Sequence, residues 1–133
     1  MWINYTKEHG TQLNLPEAYA EALESSEGSH TIVYVEGGTV YSMAMLIFIT
    51  DDVVELTLQM YAEPPNKIRF ARQSKAFVAS LPTQLNASRL QANAAAHIPS
   101  HQRFIELLGL TREGVMKGFG GTGVNHIMYG VAL

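Results

Sequence analysis

Short stretches of alternating or continuous apolar residues lie at both ends and in the middle of the chain, separated by segments with helical spacing. Trp2 to Thr6 reads as a short strand. Leu15, Ala18, Tyr19, Ala22 and Leu23 recur at helical intervals, so the sequence predicts a helix from Leu15 to Ser25, with Asn14 as its cap and Pro16 and Glu17 in its first turn. Thr31 to Val35 is rich in β-branched residues and ends at Gly37-Gly38. Thr39 to Ile49 then resumes a strand pattern, and Asp51-Asp52 divides it from Val53 to Tyr61. Three successive antiparallel strands follow from this pattern.

From Asn66 to about Leu81 the period is helical again. Phe70, Ala71, Phe77, Val78 and Leu81 share one face and Arg69, Arg72 and Lys75 another, and Pro82 is expected to stop the helix. Arg89 to Ala94 reads as a further strand, and Ser100 to Leu108 as a helix closed by Gly109. Arg112 to Phe119 and Asn125 to Val131 read as two last strands joined by a glycine-rich GFGGTG loop. The order is β-α-βββ-α-β-α-ββ, a mixed α+β domain with helices laid on a sheet.

Composition narrows the chemistry. A chain of 133 residues with 47% hydrophobic content suits one domain with a real core, at roughly 150 residues per domain. The absence of cysteine excludes disulfides, thiolate zinc sites and a cysteine nucleophile. The longest apolar run, Val40 to Ile49, is broken by Ser42 and falls short of the roughly 20 residues a bilayer span needs. The start, MWINYTKEHG, lacks the basic flank and apolar core of a signal peptide, so a soluble protein with no membrane partner is expected.

Net charge is −3, which argues against a nucleic-acid partner, yet the charge is unevenly spread. Residues 1–66 hold ten acids against Lys7 alone, a net of −9; residues 67–133 hold Glu106 and Glu113 against eight bases, a net of +6. The basic second half either forms a local anion site or is attracted to the acidic half across the fold.

Several small motifs carry no chemistry on inspection. Gly118-Phe-Gly-Gly-Thr-Gly123 satisfies G-x-G-x-x-G, but no helix pattern follows and the sequence ends ten residues later, so it reads as a hairpin loop. His97 and His101 have metal-ligand spacing, but Pro99 intervenes and no third ligand is evident, so no metal is expected. His126 and Tyr129, three apart in the last strand, fall on opposite faces and read as packing or rim residues. Ser25-Ser26 and Ser29-His30 lack a nucleophile elbow.

The last third carries a resemblance. Leu108-Gly109-Leu110, Glu113-Gly114 and Met128-Tyr129, within His101 to Leu133, resemble the end of a GNAT acetyltransferase: a helix finishing in a Leu-Gly-Phe-like turn, an acidic-Gly step, a hairpin and a closing strand. The S-H-x-R-F-I/L-x-x-x-G form of Ser100 to Gly109 is similar to the short GNAT-like proteins of bacteriophages, including small internal virion proteins. The resemblance implies a single GNAT-like domain over residues 1–133, a mixed and mostly antiparallel sheet with helices on both faces.

It also implies a site for acetyl-CoA, whose pyrophosphate the family holds on backbone N–H groups of an R/Q-x-x-G-x-G/A loop before a helix. The matching stretch here is Gln59-Met-Tyr-Ala62-Glu-Pro64-Pro65. Gln59 fits and Ala62 takes the first small position, but Pro64 stands at the second, the two prolines bring no N–H donors, and Glu63 adds a negative charge. Lys67, Arg69 and Arg72 are left to supply cofactor-binding charge. The family's proton-donating Tyr on the last helix corresponds to Ile105, and its Asn at that helix start to Ile98. Catalysis by the family's route would then need a substitute acid, Tyr61, Tyr129 or a water, with Glu55 or Glu63 as the strand-end base.

Two readings follow from the resemblance. One is a GNAT-fold protein with a degenerate acetyl-CoA site, serving as a non-catalytic binding or structural protein with a phage or host protein as partner, in the host cytoplasm or the virion. The other is an acetyl-CoA-dependent N-acetyltransferase acting on an amine. A homo-oligomer formed by pairing of the closing strand, Ile127 to Leu133, is a further expectation.

Overall fold

The computed structural model describes residues 1–25, 29–119 and 123–132. Along it run β1 (Trp2–Asn4), α1 (Lys7–Gln12), α2 (Glu17–Ser25), β2 (Ser29–Glu36), β3 (Thr39–Phe48), β4 (Val53–Met60), α3 (Lys67–Leu85), β5 (Arg89–Ala95), α4 (Pro99–Leu107), β6 (Thr111–Met116) and β7 (His126–Ala132). The strands form one sheet in the order β1-β2-β3-β4-β5-β7-β6. Every neighbouring pair is antiparallel except β4 and β5.

The β2–β3 turn is tight because Gly37 and Gly38 both take positive φ, 56° and 80°, which suits the right-handed twist of a two-residue hairpin. Between β3 and β4 the Thr50 hydroxyl accepts the Val53 N–H at 3.2 Å, and the Ile49 N–H reaches the Val53 carbonyl at 2.8 Å. Strand alternation then sends residues to two cores. On one face Ala44, Leu46, Val54, Leu56, Leu90, Ala92, Ile127 and Tyr129 meet Val78 and Leu81 of α3 and Ile105 and Leu108 beside α4. On the other, Val33, Val40 and Met43 meet Tyr5 and Leu23, and this smaller core lies beneath α1 and α2.

Aromatic contacts tie the first layer together. Trp2 stacks on Phe77 with centroids 5.2 Å apart, and its indole N–H donates to the Ser74 hydroxyl at 3.0 Å. Phe70 stacks on Phe104 at 5.6 Å, joining α3 to α4. This is the α+β architecture with helices on both faces that the sequence implied.

Four expectations change. Helix α1 is additional to the predicted order, because KEHGTQ has no apolar stripe to reveal it. Asn14, expected to open α2, instead takes φ 58° just after α1 and gives its N–H to Thr11 O at 3.1 Å, closing the earlier helix. Pro82 does not stop α3, which runs on to Leu85 and ends at Asn86, φ 53°. Finally β7 lies inside the sheet, paired to β5 along its length and to β6 as far as Gly130, so among the described residues only Val131 and Ala132 of the expected pairing strand lack a partner on the β6 side. Ser26, Leu133 and the Gly120-Gly121-Thr122 part of the glycine-rich loop lie outside the described residues. Among the described residues no helix is long and apolar enough to cross a membrane.

Candidate functional site

The single parallel pair makes a fork. β4 and β5 are in register only at Val53–Arg89, Val54–Leu90 and Glu55–Gln91. Beyond that point β4 stays with β3 as far as Met60, while β5 stays with β7 as far as Ala95. Main-chain groups on the facing edges of the two strands are left without a strand partner, which is where an extended ligand can add hydrogen bonds. The fork divides the site into a donor side, toward α3, and an open side, the face on which α1 and α2 pack against β3 and β2.

On the donor side the first turn of α3 is capped by its own N-terminal residue. Asn66 is extended, φ −124°, and its side-chain oxygen accepts the Arg69 N–H at 2.9 Å, while its carbonyl accepts the Phe70 N–H at 3.0 Å. The N–H groups of Tyr61 and Ala62 both turn back to Tyr41 O, at 2.9 and 3.3 Å. Pro64 and Pro65 have none to give. Lys67 pairs with Glu63, Nζ to Oε1 3.1 Å, both side chains exposed, so an acid stands beside the first cation of the helix. At the helix start the Lys67 and Ile68 N–H groups have no hydrogen-bond partner among the described residues, but the loop before them, with Tyr61 and Ala62 turned to Tyr41, Glu63 acidic and two prolines, does not match the donor set a diphosphate needs.

Arg69 and Arg72 come together on α3 and, with Asn66, Ile68 and Gln73, line a shallow groove of about 400 Å³, whereas Lys67 lies roughly 150° round the helix from them and does not line it. Gln59 and Ala62 do not join them. Gln59 is an exposed residue of β4 opposite Met43, and Ala62 lies in the bend beyond the strand.

The phenols also separate. Tyr129 is fully buried on the α4 side, where its hydroxyl donates to Glu106 Oε1 at 3.2 Å; burial, reinforced by the Glu106 charge and that bond, pushes its pKa up. Tyr61 packs against the opposite core near Tyr5 and Val33, and burial, then the neighbouring phenols Tyr19 and Tyr5, raises its pKa as well. Ile105 is buried in the larger core and has no proton to offer.

The open side holds a grouping that the sequence did not reveal. Glu55 of β4 receives the Asn93 amide N–H at 3.5 Å, and Asn93 Oδ1 lies 2.8 Å from His126 Nδ1. Asn93 thus links the β4 carboxylate to the β7 imidazole. Phe119 packs edge-on against the imidazole, centroids 5.4 Å apart. No sequence spacing announces this set, because β5 and β7 become neighbours only in the sheet. His97 and His101 stay apart from it, and no group of three metal-capable side chains occurs among the described residues.

No family model matches the chain, and no curated protein sequence does. Solved structures do. The ribosomal-protein-S5-alanine acetyltransferase of Vibrio fischeri matches at TM-score 0.81 and 14% identity, over 98% of this chain and 91% of that one. A spermidine N-acetyltransferase from Vibrio cholerae matches at TM-score 0.72 and 15% identity, over 87% and 72%. A GNAT-family acetyltransferase from Bacillus anthracis matches at TM-score 0.71 and 12% identity, over 87% and 72%. At such identities the likeness is one of fold: the chain is built as a GNAT acetyltransferase is built.

Proposed function

We propose that this GNAT-fold chain is a binding or structural protein that does not carry out acyl transfer, its acetyl-CoA site having lost the grip on diphosphate. Its partner is another protein, of a phage particle or of the phage's host, met in the host cytoplasm or in the virion. Fold does not dictate activity, and the reading rests on the site.

The observation that carries it is the loop before α3, which is poor in free amides. A diphosphate is held at a helix start by unpaired amides and by positive charge. Here the Asn66 side chain occupies the Arg69 amide, Tyr41 takes those of Tyr61 and Ala62, two prolines stand between, and the Glu63 carboxylate sits beside Lys67. Ile105 and the inward-turned Tyr129 add that no phenol is presented at the usual place on the last helix.

Thermal denaturation with acetyl-CoA tests this reading. A ligand at 100 times its Kd stabilises by about 2.7 kcal/mol, so a site of even ten-micromolar order shifts the melt at millimolar cofactor. No shift is expected. A shift that disappears in Lys67→Glu with Arg72→Glu would overturn the reading.

One observation favours the second reading, N-acetyltransfer to an amine. β4 and β5 part beyond Glu55 and Gln91, and the His126 imidazole, held by Asn93 on the open side, is the group placed to take a proton from an amine. Acetyl-dependent modification of a polyamine or peptide amine, abolished in His126→Ala, is the result that would select it.

A further inference from the structure

We propose that copies of this chain stack head to tail, the basic outer face of α3 on one copy against the acidic α1–α2 face of the next. The inference rests on the binding reading above and names a second copy of the chain as a partner.

Helix α3 carries Lys67, Arg69, Arg72 and Lys75 and no acid. Lys67 is held by Glu63; the other three are exposed and form no ion pair among the described residues. At about 100° per residue the three span roughly 120° of the helix surface, centred opposite the buried stripe of Phe70, Ser74, Val78 and Leu81. Ile68 stands between Arg72 and Lys75 on that face, 71% exposed. An apolar side chain flanked by unpaired cations is what an acidic surface with a recess beside it would cover.

The chain presents such a surface itself. Glu17, Glu21 and Glu24 fall within roughly 60° of one another around α2. A single cation, Lys7, bridges the first two, at 3.5 and 2.8 Å, and with exposed Glu8 the face keeps a net charge of −3, four acids against Lys7. Beside this stripe lies a groove of about 580 Å³ lined by Lys7, Thr11, Asn14, Leu15, Glu17 and Ala20. Ile68 of the next copy fits this recess, with its arginines over the carboxylates.

Topology decides what such a contact builds. α3 packs on the face of the sheet that bears Leu46 and Val54, while α1 and α2 pack on the face that bears Val33 and Met43. The two complementary surfaces are therefore on opposite sides of the molecule. A contact between unlike surfaces on opposite sides leaves one of each free at the ends, so it propagates as an open stack and does not close as a two-fold dimer.

Sedimentation equilibrium on the full chain tests this. At low salt the weight-average mass should climb with concentration past two chains, and in about 0.5 M salt it should fall to the 14.6 kDa of one chain, since exposed pairs are screened. Arg72→Glu with Lys75→Glu, both on the solvent side, should stay at single-chain mass, with circular dichroism confirming the fold. Glu17→Lys with Glu21→Lys should do the same, and an equal mixture of the two variants should regain assembly because the charges are exchanged. A wild-type chain that remains single at every concentration, a plateau at two chains, or α3 variants that assemble like wild type would each overturn the stack. A melt shifted by acetyl-CoA while assembly stays intact would remove the non-catalytic reading and leave this one standing.

Discussion

Arg89 on β5 and Glu113 on β6 grip each other across Gly130, a residue of the strand that lies between them. Arg89 Nη1 donates to Glu113 Oε2 at 3.0 Å, a second bond joins Nη2 to Oε1, and Nε donates to Gln91 Oε1 at 3.1 Å. A register shift between Arg112 and Gly114 marks the bulge that turns Glu113 back over the sheet. A Cβ on Gly130 would stand 2.6 Å from Nη2 and 2.8 Å from Glu113 Oε1. Gly130→Ala should therefore lift the pair and lower stability by about 1 kcal/mol, read from urea midpoints. The Arg89 bond holds the Glu113 carboxyl below its ordinary value of 4.5. A depressed carboxyl stabilises the fold above its unfolded pKa, and this contribution is lost as pH falls through the lower folded value. In Glu113→Gln the loss of stability on acidification below pH 4.5 should be shallower than in wild type.

Thr31, in the middle of β2, offers the opposite case. Its hydroxyl oxygen is buried and has no hydrogen-bond partner among the described residues, while its backbone carbonyl accepts the Tyr5 N–H at 3.0 Å. Removing an unsatisfied polar atom while keeping the branched shape relieves its desolvation cost. Thr31→Val should stabilise by about 1 kcal/mol, seen as a higher urea midpoint with an unchanged slope.

What the sequence revealed followed periodicity. β2, β3 and β4 were legible because β-branched runs are punctuated by Gly37-Gly38 and by Asp51-Asp52, and the body of α3 because its apolar stripe repeats over many turns. Pro82 misled: a proline removes one amide and crowds the carbonyl four residues back, but in the last turn of a well-packed helix Asn86 restores an ending, with Ala87 N–H reaching Pro82 O at 2.9 Å. The Asn93–His126 contact was illegible for a different reason. It depends on β5 lying beside β7, and nothing local to either strand specifies that pairing.

Helix α1 escaped notice through its composition, and the reason is testable. It lies so close to α2 that Gly10 cannot carry a side chain: a Cβ there would fall on the Tyr5 hydroxyl and 2.8 Å from Ala20 Cβ. That hydroxyl donates to Ala20 O at 3.0 Å, so the contact is both steric and polar. Gly10→Ala should cost about 1–3 kcal/mol by prising the helices apart, in spite of alanine's better helix propensity. Hydrogen exchange should quicken in α1 and α2 and leave α3 unchanged.

Tyr34 provides the alkaline limit. It is fully buried between Trp2 and Phe70, centroids 5.6 and 4.7 Å away, and its hydroxyl donates to Glu36 in a short hydrogen bond. Burial, then the Glu36 bond and charge, pushes its pKa to about 12 from an ordinary 10.0. A phenol whose folded pKa is raised stabilises the native state fully below its unfolded pKa, and that contribution disappears as pH climbs from 10 through 12. Stability should therefore fall across this window in wild type. In Tyr34→Phe the fall should be shallower, because no proton is lost there, although stability at neutral pH drops through the missing bond to Glu36. Urea denaturation between pH 9 and 11 distinguishes the two. Equal slopes in both proteins would mean that the Tyr34 phenol ionises as easily in the folded chain as in the unfolded one.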